Sequence, residues 1–169
     1  WKYVLLHGHR QSGKSSAGIS VTDTLQSMDG VVALFVTFGD LQTPGADVFW
    51  PLVNRKVQKA VARARQRKGD EVPNLANIQI SDAWSFTEFF VSNHWAGHRV
   101  VLIVDEFDAL LNAAGDVRSK FLASLRAMKN ENEAEQYAGV NPRHALVGML
   151  GIGVYHMLQL GATQDYPRK

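Results

Sequence analysis

Short continuous apolar runs alternate along this chain with longer segments of helical periodicity. The run Tyr3-Val4-Leu5-Leu6-His7 ends at Gly8 and predicts a strand over 2–7. Residues 14–28 hold no proline and can form a helix, which Asp29-Gly30 ends. Residues 31–38 (Val-Val-Ala-Leu-Phe-Val-Thr-Phe) are dense in β-branched and aromatic residues and predict a second strand. A loop over 39–45, with Pro44, leads to a helix over 46–68. Pro51 predicts a break or a late start in that helix, and residues 69–73 end it. Its apolar face is Val53, Val57, Ala60, Val61 and Ala64.

The second half repeats the alternation. Residues 77–80 read as a short extended piece. Ser85 as N-cap with Glu88 three residues on predicts a helix over 85–95, closed by Gly97. The unbroken run Val100-Val101-Leu102-Ile103-Val104 is the pattern of a strand buried on both faces of a parallel sheet. A helical turn follows at 108–113. Asp116 is expected to cap a helix that carries Val117, Phe121, Leu125 and Met128 on one face. The polar stretch 129–136 reads as a mobile loop. Residues 145–150 read as a further buried strand, followed by Gly151, Gly153 and a segment to about Leu160. Strands alternating with helices predict an α/β fold, a mainly parallel sheet sandwiched by helices. No internal repeat or second domain is visible.

Composition narrows the function classes. At 169 residues with an apolar fraction of 46%, one domain with a real core is the default. Zero cysteines exclude disulfides and thiolate metal sites, and are compatible with a reducing, intracellular setting. The net charge of +2 is too mild to imply nucleic acid by itself. No apolar run approaches the roughly 18 residues of a membrane span, and no signal peptide is visible. The chain opens on Trp1, one strand before its first motif, and reads as a fragment of a longer protein.

That motif is Gly8-His9-Arg10-Gln11-Ser12-Gly13-Lys14-Ser15, the pattern G-x-x-x-x-G-K-[ST] of a phosphate-binding P-loop. The spacing follows from chemistry. Gly8 lets the chain leave a strand and turn, and Gly13 lets the backbone approach a phosphate where a Cβ would clash. Amides of the loop and of the following helix, through Ser16, point at the anion. Lys14 reaches the β- and γ-phosphates, and the Ser15 hydroxyl is a ligand for Mg²⁺. The whole run Gly8 to Ser16 is therefore the expected nucleotide-binding segment.

The strand 100–104 ends in Asp105-Glu106, a Walker B pattern with an adjacent glutamate. Asp105 is expected to hold Mg²⁺, directly or through water, and Glu106 to orient or deprotonate the attacking water. Asp105-Glu106-Phe107-Asp108 also fits the D-E-x-D box of helicases, although an aspartate at the position of Asp108 is more often a cap for the helix that follows. No Asn-Lys-x-Asp is present to read guanine, so ATP is the expected nucleotide. If the 31–38 strand lies at the sheet edge, the arrangement fits ATPases of the additional-strand, catalytic-glutamate type.

Other features carry less. Arg55, Lys59, Arg63 and Arg67 form a basic helix face, which tracks a phosphate backbone in some proteins and is a solvated face in more. His94 and His98 lack metal-ligand spacing. Phe86, Phe89, Phe90, Trp95, Trp50 and Trp84 read as packing residues.

The run from Val100 to Leu111, then Arg118-Ser119-Lys120-Phe121-Leu122 with Leu125-Arg126, then Leu150-Gly151-Ile152-Gly153-Val154-Tyr155 before Leu158 and Leu160, resembles AAA-like ATPase domains. More narrowly it resembles those of eukaryotic Crinkler-type proteins. The resemblance implies an ATPase module joined to a nuclease-like domain, often acting in the nucleus. It also implies a polar sensor residue at the end of the strand after Walker B, where this chain has Gly151 and Gly153. An arginine from a neighbouring copy, in a homo-oligomer, or from a missing segment would complete the site; Arg118, Arg126 and Arg143 are further candidates. The expected activity is Mg²⁺-dependent ATP hydrolysis. The alternatives are a nucleotide-gated switch or scaffold and a nucleic-acid-stimulated motor.

Overall fold

The computed structural model describes residues 2–41 and 45–154. Four strands, β1 (Lys2–His7), β2 (Val31–Thr37), β3 (Arg99–Asp105) and β4 (Leu146–Gly153), form one sheet, and every pairing is parallel. Their order is β1-β4-β3-β2. The last strand in sequence is thus inserted between the first and third, and β2 lies at an edge. Four helices accompany them: α1 (Lys14–Gln26), α2 (Ala46–Lys68), α3 (Ala83–Phe89) and α4 (Gly115–Tyr137). No described helix is long and apolar enough to cross a membrane.

Strand alternation assigns the two faces. Val32, Leu34 and Val36 of β2, with Val100, Leu102 and Val104 of β3, join the main core under α2, α3 and α4. Ala33 and Ile103, with Ile152 of β4, form a small second core under α1. At the centre of the main core Phe121 of α4 meets Phe49 of α2 at 5.6 Å between ring centroids and Phe86 of α3 at 5.2 Å. Edge-to-face and tilted packing of this kind adds to the apolar area these rings bury. The α1 side is thinner. That helix buries only Gly18, Thr22 and Gln26, one residue per turn. A Cβ at Gly18 would stand 2.4 Å from Ile152 Cδ1, so glycine permits the close approach of α1 to the sheet. Thr22 donates to the Gly18 carbonyl at 2.8 Å, and Gln26 Nε2 to the Ala33 carbonyl at 2.7 Å.

Several expectations change. Helix α2 runs through Pro51 without a break. The missing N–H costs one hydrogen bond, while Phe49, Trp50 and Val53 on either side are all buried in the core and hold the turn. Residues 77–80 join no strand; the Asn54 side chain holds them, accepting from the Ile80 N–H at 3.0 Å and donating to Gln79 at 2.8 Å. The expected 85–95 helix is two pieces. Asp82, not Ser85, is the N-cap of α3, and Ser85 closes the capping box from the third position. Phe90 ends α3, and a separate 3₁₀ turn spans Ser92–Trp95. Glu88 bonds no cap and pairs with Arg143. Trp84 is 71% exposed, whereas Trp50 and Trp95 are buried as expected. Asp116 lies in the first turn of α4, whose N-cap is Ala114. Gly151 and Gly153 belong to β4 and do not follow it. Pro44 and the expected segment to about Leu160 lie outside the described residues.

The largest difference is at 129–136, which is helix and no loop. Lys, Glu, Ala and Gln are good helix formers. Lys129 pairs with Glu133 one turn on at 3.2 Å. Asn132 fixes the register: it is 2% exposed, its Nδ2 donates to the His144 and Leu146 carbonyls at 2.8 and 3.2 Å, and its Oδ1 accepts from the His144 N–H at 2.9 Å. One polar side chain thus ties α4 to the entrance of β4.

Asn132→Ala strands those three buried backbone groups. It is expected to cost about 2 kcal/mol and to lower the thermal midpoint by about 4–8 °C for a domain of this size. A melt superimposable on the parent's would show that α4 docks without this residue.

Candidate functional site

The carboxyl ends of the strands open onto one cleft, the usual ligand position in a parallel α/β sheet. Its volume is about 480 Å³. Arg10, Gln11, Lys14 and Ser15 line it from the loop after β1 and the start of α1, Gly39 from the loop after β2, Asp105, Glu106 and Asp108 from β3 and the turn beyond, and Gly153 from the end of β4. Residues about 90 apart in sequence thus share a wall because β1 and β3 are parallel and only β4 separates them.

The glycine loop is locally coherent. Gly13 takes φ +79° and forms the N-cap of α1, and no side chain bonds the amides of that helix's first turn. No acidic residue stands in the turn either, so its amides face outward without an intramolecular anion. Lys14 folds back over the loop. Its Nζ donates to the Gly8 carbonyl at 2.8 Å, to Ser12 Oγ at 3.2 Å and to the His9 carbonyl. Gln11 sits at φ +60°, in the left-handed region that side chains other than Asn and Asp rarely enter. Gly8, His9, Ser12, Gly13 and Ser16 are part of the loop and helix but are not on the cleft lining.

The acidic side is built on β3. Asp105 is only 9% exposed, and its Oδ1 accepts from the Glu106 N–H at 3.0 Å. Glu106 has φ +51°, a second strained position on the same cleft. That turn swings its carboxylate toward β2, where Thr37 Oγ1 donates to Glu106 Oε2 at 3.0 Å. A Cβ on Gly39 would stand 1.7 Å from Glu106 Oε2, so glycine here leaves room for the carboxylate where it bonds Thr37, and any side chain would displace it. Asp108 caps no helix; it lies within the 3₁₀ turn Phe107–Asn112, where a Cβ on Gly153 would come 2.7 Å from its Oδ1. The two glycines at the end of β4 therefore serve close packing: Gly151 accommodates Leu5 and Phe107, and Gly153 accommodates Asp108.

Sequence reasoning misses Thr37, Gly39 and Asn112. The signal for Thr37 is register: it pairs with Asp105 across β2 and β3, which no linear motif encodes. The candidate arginines separate. Arg118 donates to the Leu111 carbonyl at 3.4 Å, next to the cleft. Arg126 lines an apolar groove between β1 and α4, and Arg143 pairs with Glu88 at 3.3 Å near the amino ends of β3 and β4. The basic face of α2 is exposed, but Arg67 pairs with Asp23 and Arg55 lies 4.0 Å from Asp40. Among the described residues no group of three His, Cys, Asp or Glu could hold a metal.

The fold defines the class to which the chain belongs: an α/β domain with a four-stranded, all-parallel sheet flanked by helices. No family model matches the chain, and no curated protein matches it.

The loop that brings Gly39 to Glu106 is anchored next door, where Lys56 of α2 pairs with Asp40 at 2.5 Å. That hydrogen bond holds the Asp40 carboxyl below its usual range. A depressed folded value stabilises above the unfolded pKa of about 3.9, and the contribution is lost as pH falls through the folded value. The thermal midpoint of the parent should therefore drop more steeply than that of Asp40→Asn between about pH 5 and pH 2.5. Parallel pH profiles for the two proteins would remove the anchor.

Proposed function

We propose that this chain is a P-loop ATPase domain that binds ATP with Mg²⁺ and hydrolyses its β–γ phosphoanhydride. The observation that carries the reading is the convergence of Lys14 and Ser15 with Asp105 and Glu106 on one cleft at the carboxyl ends of the strands. The donor set fits the ligand. Gly13 is left-handed with open space where a Cβ would stand, and the first-turn amides of α1 carry no side-chain cap. Lys14 already binds carbonyl and hydroxyl oxygens, which a triphosphate would replace with stronger, charge-assisted partners. Ser15 and Asp105 supply two oxygens for Mg²⁺, which suits an ion that takes its remaining ligands from phosphates and water. When bound, Mg²⁺ neutralises charge on the phosphate oxygens.

In this reading Lys14 and the loop amides stabilise charge on the γ-phosphoryl group. Glu106 orients the attacking water and accepts its proton. Thr37 holds Glu106 Oε2, so one carboxylate oxygen is engaged and the other remains for water. The same hydrogen bond supports the second reading, a nucleotide-gated switch or scaffold that turns over slowly, since a glutamate held against Thr37 must be oriented before it can act. The sheet order, with β4 between β1 and β3 and β2 at the edge, supports an ATPase of the additional-strand, catalytic-glutamate type. The narrower likeness to Crinkler-type domains rests on the flanking sequence alone.

Lys14→Ala should remove most of the affinity for the triphosphate, a loss of about tenfold or more, because the β/γ charge loses its partner. Titration of a fluorescent ATP analogue measures this, and equal affinity in variant and parent would sink the P-loop assignment.

Glu106→Gln keeps the shape and removes the base. ATP should bind as in the parent, while hydrolysis falls by roughly a hundredfold or more. Phosphate-release assays with and without DNA or RNA decide between the readings. A parent that shows no turnover in any of them is a switch, and one that needs nucleic acid is a motor.

A further inference from the structure

The cleft carries three carboxylates, and they do not face the same place. Asp105 ends β3. Glu106 is turned toward β2, where Thr37 holds it. Asp108 turns the other way. A Cβ on Gly153 would stand 2.7 Å from its Oδ1 and 3.2 Å from its Cγ, so the Asp108 carboxyl lies over the end of β4. The sheet order β1-β4-β3-β2 converts this into distance. Neighbouring strands lie about 4.8 Å apart, which puts β4 about 5 Å from β1 and β2 about 14 Å from it. Gly153 pairs directly with His7, the residue before the glycine loop. By strand position, Asp108 is therefore the carboxylate next to that loop, and Glu106 is held on the far side of β3.

Among the described residues nothing neutralises Asp108. It is half-buried, lines the same cleft as Lys14 and Ser15, and makes no hydrogen bond or ion pair. Lys14 Nζ is bonded to its own loop, at Gly8, His9 and Ser12. Asp105 and Glu106 each have a partner, the Glu106 N–H and the Thr37 hydroxyl. The one carboxylate without a partner is thus the one beside the glycine loop.

We propose, on the reading that this cleft takes ATP, that Asp108 is the carboxylate facing the γ-phosphate, and that its charge makes retention of a triphosphate, far more than of a diphosphate, depend on a divalent cation. The glycine loop and Lys14 hold the β-phosphate, and the γ-phosphate extends from it toward the acidic wall. Like charges a few ångströms apart repel, and the repulsion falls with distance and with salt. A divalent cation between them removes the penalty, since both anions then face it. A diphosphate ends before that point and is indifferent to Asp108. The cleft therefore keeps the metal–triphosphate complex and releases the metal-free nucleotide.

The test is competition of ATP and of ADP against a fluorescent ADP analogue at low ionic strength, in EDTA and again in Mg²⁺, and it needs no turnover. Asp108→Asn and Asp108→Ser, each checked by an amide spectrum changed only around the cleft, should bind ATP about fivefold or more tighter than the parent in EDTA, while ADP changes by less than about twofold. In Mg²⁺ the gain should shrink below about twofold or reverse. Glu106→Gln should give a smaller gain in EDTA, because its carboxylate lies beyond β3. An equal gain for ATP and ADP, a gain undiminished in Mg²⁺, a Glu106→Gln gain as large as that of Asp108→Asn, or no gain at all would each overturn the assignment of Asp108 and leave ATP binding standing. A parent that binds neither nucleotide in Mg²⁺ would instead overturn the P-loop reading, and this proposal with it.

Discussion

Strand β3 is the element on which the rest of the structure depends. It is the strand between β2 and β4, with Leu102, Ile103 and Val104 almost wholly buried on alternating faces. A strand in that position has no freedom to slip, because a shift of one residue would exchange the contents of the two cores. Its register with β2 sets Thr37 opposite Asp105, and its register with β4 sets Val104 opposite Gly151. The acidic pair at its end is therefore placed by the core and not by the loop that follows.

Strain is concentrated where that strand ends. Only three described residues other than glycine have positive φ, and two of them, Gln11 and Glu106, line the cleft. Backbone in this region persists only where its surroundings over-determine it. At Glu106 those surroundings are identifiable: the N–H is held by Asp105, the carboxylate by Thr37, and the space beside it is left open by Gly39. The result is a carboxylate held at a defined position beside a cationic loop.

Buried polar side chains add to the apolar packing in fixing how two of the helices sit. Asn132 ties α4 to β4 by bonding the backbone of His144 and Leu146. On the other face, Gln26 does the same for α1 through the Ala33 carbonyl. Both side chains are buried, so each ties its helix to the sheet by polar pairing inside an apolar setting.

The sequence by itself determined the strands, the alternation with helices and the residue types of the cleft. A continuous apolar, β-branched run such as 100–104 favours a strand buried on both faces, and Gly13 occupies the left-handed turn that opens α1. These are short-range properties, and they are legible wherever the chain's own periodicity dominates. The tertiary structure decided the strand order, the partner of Glu106 and the state of residues 129–136. Thr37 and Glu106 are 69 residues apart and meet only through the register of β2 with β3. Residues 129–136 look like a loop because their polarity is visible while the buried contact of Asn132 is not. The cap of α3 is Asp82 and not Ser85: either residue type suits the position, and the two close a reciprocal capping box with Ser85 in its third position. Composition records which groups are available, and only the fold fixes which of them face each other.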